Sequence, residues 1–345
     1  MAQEQHALQN LRVNGAAAPL GIDDPAPKFS WILSLDGFGR AQSAWRILVS
    51  SSEENAAACR GDVWDSGKRP GGNNYDIAFE GKLDSRTPYY WRVQAWDEKD
   101  ACLGWSETAV FETGIFAPAE WGASWIACPE RPGIDPLENR AARLLRREFE
   151  VPGEVERARA YICGLGLFDM TINGKPADDT VLNPGNTQFN KTVPYCVFDV
   201  TGLLSPGINA VAVELGNGFY NEADGAWNWE NAPWRSAPRL LFRLDIRCRD
   251  GGIQTVLSDG SWFGSDGGPT RRNSIYYGEA YDARLEMPGW RLPGFQGDGF
   301  QRAVVVSPPA PAVKFQYCPP HAPAGGLSPR RHHQPGAGGV GDPQP

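Results

Sequence analysis

The sequence predicts an all-β protein built from two successive β-sandwich domains, and three observations carry this prediction. First, Tyr89, Trp91, Val93 and Ala95 alternate with more polar neighbours, which is the period-two pattern of a strand with one buried face. Second, 40 glycines and 29 prolines among 345 residues supply the frequent turns that short strands need. Third, helical periodicity is weak throughout the chain.

Residues 7–115 form the first predicted domain. Asp97 to Asp100 make a polar turn that joins the strand at residues 89–96 to a return strand at Ala109–Thr113. About seven short strands separated by turn residues are typical of an immunoglobulin-like sandwich. The last hairpin resembles that of a fibronectin type III domain. Further strands are predicted at Leu11–Asn14, Lys28–Leu33, Ala44–Ser50 and Val63–Gly67.

Residues 116–139 are predicted to be a connector, and residues 140–315 a second β-sandwich of the carbohydrate-binding type. The segment Phe168–Lys175 contains Asn173-Gly174, a strong signal for a two-residue hairpin turn. Other strands are expected at Leu144–Val151, Glu154–Ile162, Tyr195–Val200, Ala210–Leu215, Leu240–Cys248 and Gln254–Leu257.

Residues 316–345 are predicted to be a disordered tail. From His321 onward the chain consists mainly of Gly, Pro, Ala, Arg and His and has no aromatic residue, so it cannot bury enough apolar area to offset its ordering entropy. One hypothesis is a frameshift near residue 320 in a GC-rich gene, since out-of-frame reading yields this composition. The alternative is a natural disordered tail, and translation of the same DNA in the other frames distinguishes the two.

Composition and charge exclude several classes of function. A net charge of -8 argues against nucleic acid or an anionic membrane as partner. No apolar run approaches ~18 residues, and the first 15 residues lack the apolar core of a signal peptide. Seven scattered cysteines without C-x-x-C spacing indicate reduced thiols. The expected location is therefore the cytoplasm.

Histidine is almost missing from the chain. His6 lies near the start, and the other three, His321, His332 and His333, lie in the predicted tail. The body of the chain therefore cannot supply a Ser-His-Asp or Cys-His arrangement, and most zinc sites are excluded as well. No phosphate-binding loop is present. Carboxylate chemistry of the glycosidase kind is the enzymatic option that stays open.

Several long motifs identify a family resemblance. In the first domain they are SAWRILVSS, WDSGK, TPYYWRVQAWD and FETG. In the second they are LLRREF, YICGLGLFDMTINGKPADDTVLNPG, YCVFDVTGLLSPGINAVAVELGNGFYN and YYGEAYDAR. Over roughly residues 8–320 the chain resembles the N-terminal half of bacterial α-L-rhamnosidases of glycoside hydrolase family 78.

The resemblance implies that catalysis and structural support reside in different domains. In that family catalysis resides in a large (α/α)6 barrel with an acidic motif like DCPQRDERLGW, which does not occur in this sequence. The favoured interpretation is a truncated chain that holds non-catalytic domains supporting the barrel, with no catalytic residue of its own. The alternative is an active α-L-rhamnosidase that removes terminal rhamnose by an inverting two-carboxylate mechanism. Glu222 and Asp224 could imitate such a pair, although carboxylates are common in loops.

The loop at residues 216–235 is the candidate carbohydrate-binding site. Flat aromatic faces suit the C–H surface of a sugar ring, and amides and charged groups suit its hydroxyls. Rhamnose-containing glycosides are the expected ligands. The alternative is that Trp227, Trp229 and Trp234 fill the sandwich core or the seam with the catalytic domain of the resembled family. The alternate spacing of Trp227 and Trp229 would place both on one strand face, which favours packing. The candidate residues are Asn217, Tyr220, Asn221, Asp224, Trp227, Trp229, Trp234 and Arg235.

No cofactor and no metal are predicted. Some domains of the resembled family bind calcium and rhamnose through an Asp-Asn pair, and the matching positions here are Asn190 and Lys191. A lysine supplies no oxygen ligand and adds positive charge, which disfavours calcium. Asp178 and Asp179 are interpreted as part of a solvated loop.

Overall fold

The structure is a computed structural model that describes residues 7–223, 225, 227–319 and 321–322. Nearly all of its regular structure is β, which confirms the predicted fold class. None of the helices in this described part is long and apolar enough to cross a membrane. All seven cysteines lie in the described part, and each is a free thiol.

The first sandwich packs two sheets against each other. The elements are β1 Leu8–Val13, β2 Lys28–Leu33, β3 Gln42–Ser50, α1 Glu53–Ala57, β4 Trp64–Asp65, β5 Arg69–Pro70, β6 Ile77–Ala78, β7 Pro88–Asp97, β8 Cys102–Trp105 and β9 Ala109–Glu112. One sheet has the order β1-β2-β6, and the other is built on β4-β3-β7-β8, with β5 added to β3 and β9 to β7. One short helix, α1, begins after Ser52, whose side chain accepts a hydrogen bond from the backbone N–H of Asn55.

Strand β7 follows the predicted alternation along its whole length. Tyr89, Trp91, Val93 and Ala95 are at most 4% exposed, whereas the residues between them are partly exposed. The four buried side chains join a core that includes Phe29, whose ring centroid lies 4.6 Å from that of Trp91. Period-two hydrophobicity thus fixes which face of the sheet points inward.

The segment predicted as a connector belongs largely to the second domain. A 3-10 helix at Pro118–Trp121 precedes β10, Ile126–Ala127, which pairs with the later strand at Arg239–Cys248. Trp121 and Trp125 are 4% and 5% exposed. The residues around β10 therefore form an integral strand of the second sandwich rather than a free linker.

The second sandwich contains two larger sheets and a separate hairpin. Its strands are β11 Arg143–Val151, β12 Val155–Leu165, β13 Phe168–Ile172, β14 Lys175–Pro176, β15 Thr192–Asp199, β16 Gly207–Leu215, β17 Arg239–Cys248, β18 Ile253–Leu257, β19 Phe263–Ser265, β20 Thr270–Ser274, β21 Gly278–Tyr281, β22 Gln301–Arg302, β23 Val304–Val305 and β24 Ala312–Phe315. Further 3-10 helices lie at Thr201–Leu203, Trp229–Asn231 and Ala283–Leu285. One sheet has the order β23-β10-β17-β12-β15-β24 with β18 beside β17, the other has the order β14-β13-β16-β11-β19-β22, and β20 pairs with β21.

Strand β12 is buried on both faces. Ala158, Ala160 and Ile162 face the core between the two sheets, as the alternation predicts. Tyr161 and Cys163 on the opposite face belong to a second core that contains Ile115, Trp121, Trp125 and Tyr220. The sheet is therefore covered on its outer side by the connector and by the loop that follows β16.

Direct contacts dock the first sandwich onto this sheet. The hydroxyl of Tyr195 donates to the carbonyl oxygen of Gly21 at 3.1 Å and accepts from the N–H of Ile115 at 3.1 Å. A Cβ at Gly114 would lie 2.2 Å from both that carbonyl oxygen and that hydroxyl. Only glycine fits at this close approach between the domains.

The chain remains part of the fold beyond residue 315, where the sequence analysis placed the start of a disordered tail. The backbone N–H of Gln316 donates to the carbonyl oxygen of Tyr195, and the hydroxyl of Tyr317 donates to the carboxylate of Asp23 at 2.9 Å. The N–H of Val181 donates to the carbonyl oxygen of His321 at 2.8 Å. The predicted tail boundary is thus too early, because Gln316, Tyr317 and His321 still pair with the two sandwiches. Residues 323–345, on which the frameshift hypothesis rests, lie outside the described residues.

Candidate functional site

The predicted aromatic loop joins β16 to β17, and none of its described residues lies in a strand. Trp227 and Asn228 have φ angles of 54° and 59°, and the 3-10 helix at Trp229–Asn231 follows them directly. Two successive left-handed residues break the period-two geometry of an extended chain. The interpretation that Trp227 and Trp229 share one strand face is therefore wrong.

Three of the predicted sugar-contacting residues are buried. Asn217 and Tyr220 are 1% exposed and Asn221 is fully buried, so none of them reaches a sugar at the surface. The Asn217 amide donates to the carbonyl oxygen of Arg140 at 2.9 Å, and the Asn221 amide donates to the side chain of Asn217 at 3.0 Å. The prediction of direct contact fails here because both amides hold the base of the loop in place.

The described tryptophans of the loop extend from the core to the surface. The Trp234 ring lies 6.0 Å from the ring of buried Phe189, and the Trp229 ring lies 5.9 Å from Trp234. Trp229 also packs 5.6 Å from Phe219. Trp227 is 82% exposed. The packing interpretation thus fits Trp234, whereas Trp227 is presented to solvent.

Sequence analysis missed two residues of this surface, Tyr276 and Tyr277. They occupy the turn of the β20–β21 hairpin and are 41% and 61% exposed. The indole N–H of Trp229 donates to the hydroxyl of Tyr276 at 3.2 Å, which joins the hairpin to the loop. In the sequence, the two adjacent tyrosines before Gly278 could have indicated that these residues belong to an aromatic surface. We call Trp227, Trp229, Tyr276 and Tyr277 the aromatic surface.

Glu222 supports the hairpin from beneath. Its side chain is fully buried and lies 3.5 Å from the guanidinium of Arg140. One of its oxygens accepts from the Ser274 hydroxyl at 2.9 Å and from the N–H of Ile275 at 3.3 Å. A carboxylate enclosed in this way is not presented to a glycosidic bond. Asp224, the other member of the weak candidate pair, lies outside the described residues.

Arg235 contacts the connector. Its guanidinium donates to the side chain of Asn221 at 3.1 Å, to the carbonyl oxygen of Leu137 at 2.9 Å and to Glu138 at 3.2 Å. It lines a cavity formed with the connector. The predicted site therefore divides into an exposed aromatic part, a buried amide layer and an arginine on a different wall.

The positions considered for calcium are exposed. Asn190 and Lys191 lie in the turn before β15, where the N–H of Lys191 donates to the carbonyl oxygen of Gln188. Within the described residues, no group of three or more His, Cys, Asp and Glu side chains is placed to hold a metal ion.

The two domains match two described protein families. Residues 8–117 match the Rha78A-like N-terminal immunoglobulin domain, and residues 153–323 match the alpha-L-rhamnosidase N-terminal domain. An alpha-L-rhamnosidase of Formosa agariphila is 35% identical over 309 residues, which cover 88% of this chain and 33% of that protein. The chain belongs to the α-L-rhamnosidase family. It corresponds to the N-terminal, non-catalytic domains of glycoside hydrolase family 78.

Solved rhamnosidase structures show the same arrangement of domains. The α-L-rhamnosidase of Dictyoglumus thermophilum superposes with a TM-score of 0.80 at 35% identity, over 90% of this chain and 35% of that one. The Streptomyces avermitilis enzyme, solved in complex with L-rhamnose, has a TM-score of 0.77 at 22% identity, over 88% of this chain and 45% of that one. This rhamnosidase-family chain thus spans about a third of the length of the curated relatives it matches.

Proposed function

We propose that this chain supplies the supporting β domains of a glycosidase that acts on rhamnose-containing glycosides. The observation that carries the proposal is the superposition on the Dictyoglumus rhamnosidase, which includes both sandwiches over 90% of the chain. Contacts at Tyr195 and Gly114 hold the two sandwiches together, so they can support a further domain as one unit. The activity itself would reside in the part of such an enzyme that this chain does not match.

The chemistry of the described residues supports a non-catalytic role. Hydrolysis of a glycosidic bond needs two carboxyl groups that face each other across a space for the sugar, ~5–9.5 Å apart. Glu222 faces the Ser274 hydroxyl and the Arg140 guanidinium instead of an open cleft. Its hydrogen bonds make it a structural anchor rather than an acid or base for substrate.

The aromatic surface is proposed as a weak contact site for sugar. A large side chain on a left-handed backbone is rare, and such outliers occur most often where function requires them. Trp227 combines that backbone with 82% exposure. Tyr276 and Tyr277 add exposed rings in the hairpin that Trp229 contacts. A single tryptophan stacked on a sugar ring corresponds to affinity of roughly millimolar, about -4 kcal/mol.

Titration of the chain with L-rhamnose, followed by tryptophan fluorescence, tests this contact. We expect a saturable change at millimolar rhamnose that Trp227→Ala removes and that a chelator leaves unchanged. Tyr75→Ala is the matched control, since Tyr75 is 63% exposed in the first sandwich. No response at tens of millimolar rhamnose would rule out the contact, and a response lost with chelator would indicate a metal-dependent site.

A further inference from the structure

A cavity of about 290 Å³ lies between the connector and the start of β17. One wall is formed by residues 127–139 and the other by residues 235–239 and Val306. Its lining combines apolar groups such as Ile134 and Pro136 with the guanidinium-bearing side chains of Arg131, Arg143, Arg235 and Arg239. The cavity is separate from the aromatic surface.

Two of the four arginines already have carboxylate partners. Arg131 lies 2.7 Å from Asp266, and Arg235 lies 3.2 Å from Glu138. These pairs are close enough to neutralise both guanidinium groups locally.

Arg143 is different because it is a buried cation held by backbone carbonyls. It is 5% exposed and donates to the carbonyl oxygens of Ala141 and of Asn139, the latter at 2.8 Å. It forms no ion pair with any carboxylate of the described residues. Burial lowers its pKa from the ordinary value, while Cys128 and the carboxylate of Asp266 act in the opposite direction. The positive charges of Arg131 and Arg140 lower the pKa further. Because an arginine stays protonated in proteins, the cavity retains this charge.

Arg239 adds a second guanidinium without a described carboxylate partner. It donates to the carbonyl oxygen of Ser307 at 2.9 Å and to the hydroxyl of Ser236. Its Nε is buried and has no hydrogen-bond partner in the described structure. A buried donor without an acceptor costs free energy unless a further group fills the position.

We propose that this cavity binds the carboxylate of a ligand the size of a monosaccharide, such as a sugar acid. Guanidinium groups match a planar carboxylate through paired N–H donors. Glu130 and Asp135 also line the cavity, so a single negative charge fits it better than a doubly charged phosphate. The choice of a sugar acid rests on the proposed glycosidase function, whereas the choice of a carboxylate rests on the cavity alone.

Calorimetric titration with D-glucuronate at constant ionic strength tests the proposal, with D-glucose and the methyl ester of glucuronate as uncharged probes. We expect one saturable site for glucuronate and none for the two uncharged sugars. Arg239→Gln should weaken glucuronate binding about tenfold or more, because it removes a charged donor but keeps a polar side chain. Arg249→Gln is the control, since Arg249 is largely exposed in the hairpin between β17 and β18 and should leave the affinity unchanged.

Arg143→Met provides a second test and should abolish binding if the variant folds. If it does not fold, Arg239→Gln alone decides. Equal responses to glucuronate and glucose, or an unchanged affinity in Arg239→Gln, would overturn the proposal. Trp227→Ala should leave glucuronate binding intact, so failure of the rhamnose contact and failure of this cavity site are distinguishable.

Discussion

Glu112 and Arg159 join the last strand of the first sandwich to the central strand of the second. Two parallel hydrogen bonds connect them, at 2.8 Å and 2.5 Å, and their side chains are only 7% and 11% exposed. Burial by itself lowers the pKa of Arg159, but the hydrogen bond and charge of Glu112 outweigh it and raise the pKa overall. Asp199, whose side chain is about half exposed, lies 2.8 Å from the same guanidinium and adds to this effect.

Glu112→Gln should therefore destabilise the protein by about 1.5–3 kcal/mol, since it removes the buried charge that accepts both hydrogen bonds and leaves Asp199 as the remaining carboxylate partner of the cation. Urea unfolding followed by tryptophan fluorescence measures the loss. Glu154→Gln is the matched control, because Glu154 is 78% exposed and pairs with Arg249 at the surface, where such pairs contribute little. Equal losses in the two variants would show that the buried pair has no special role.

The cysteines should differ sharply in reactivity. Burial raises the pKa of Cys128 to about 12, and it raises the pKa of Cys163 and Cys196 as well. At pH 8 these thiols remain protonated in the folded protein, and the thiolate is the reactive form. Exposed Cys102 and Cys318 are accessible. Iodoacetamide labelling with mass spectrometry should modify Cys102 and Cys318 in the native protein, and the other three only after unfolding in urea.

At the scale of elements, the loop after β16 and the β20–β21 hairpin form one unit. Asn217 donates its backbone N–H to the side chain of Asn273 at 2.6 Å, and Glu222 holds Ser274 and Ile275. The position of Tyr276 beside Trp229 thus depends on buried polar contacts rather than on the short hairpin itself. A two-stranded hairpin is only marginally stable without such support.

Glu222→Ala should loosen the hairpin without unfolding the sandwich. Loss of its hydrogen bonds should lower protection of the amides at residues 270–281 about tenfold or more, measured by hydrogen exchange. Glu279→Ala, an exposed change on β21, should leave protection unaltered. Protection that is the same in Glu222→Ala and the parent chain would show that the hairpin is held by other contacts.

At the scale of the whole molecule, the two sandwiches share a continuous interface. Tyr195 contacts Gly21 and Ile115, and Asp23 accepts from the N–H of Phe315 at 3.0 Å and from Tyr317. Domains joined by a large, well-packed interface do not move freely with respect to each other. We expect a single cooperative thermal transition in calorimetry. Two separated transitions in the parent chain would indicate independent domains.

Local patterns predicted some of these features well and others poorly, for a physical reason. The alternation in β7 is readable because burial of one strand face is encoded by adjacent residues. The burial of Asn217 and Asn221 cannot be read from neighbouring residues in the same way. Their partners Arg140 and Asn273 lie more than fifty residues away in sequence. The same holds for Tyr161 and Cys163 on the outer face of β12, which the docked connector and the loop after β16 cover.

Incubation of the purified 345-residue chain with an aryl α-L-rhamnoside tests the central claim most directly. We predict no release of the aryl group above buffer, while far-ultraviolet circular dichroism confirms the β fold. The physical reason is that the proposal assigns the acid, the base and the substrate pocket to the part of the enzyme that this chain does not match, and each proton-transfer group contributes ~10²–10⁴-fold in rate. Turnover that disappears in Glu222→Ala would contradict the account, because it would place catalysis on a carboxylate that the structure shows buried against Ser274 and Arg140.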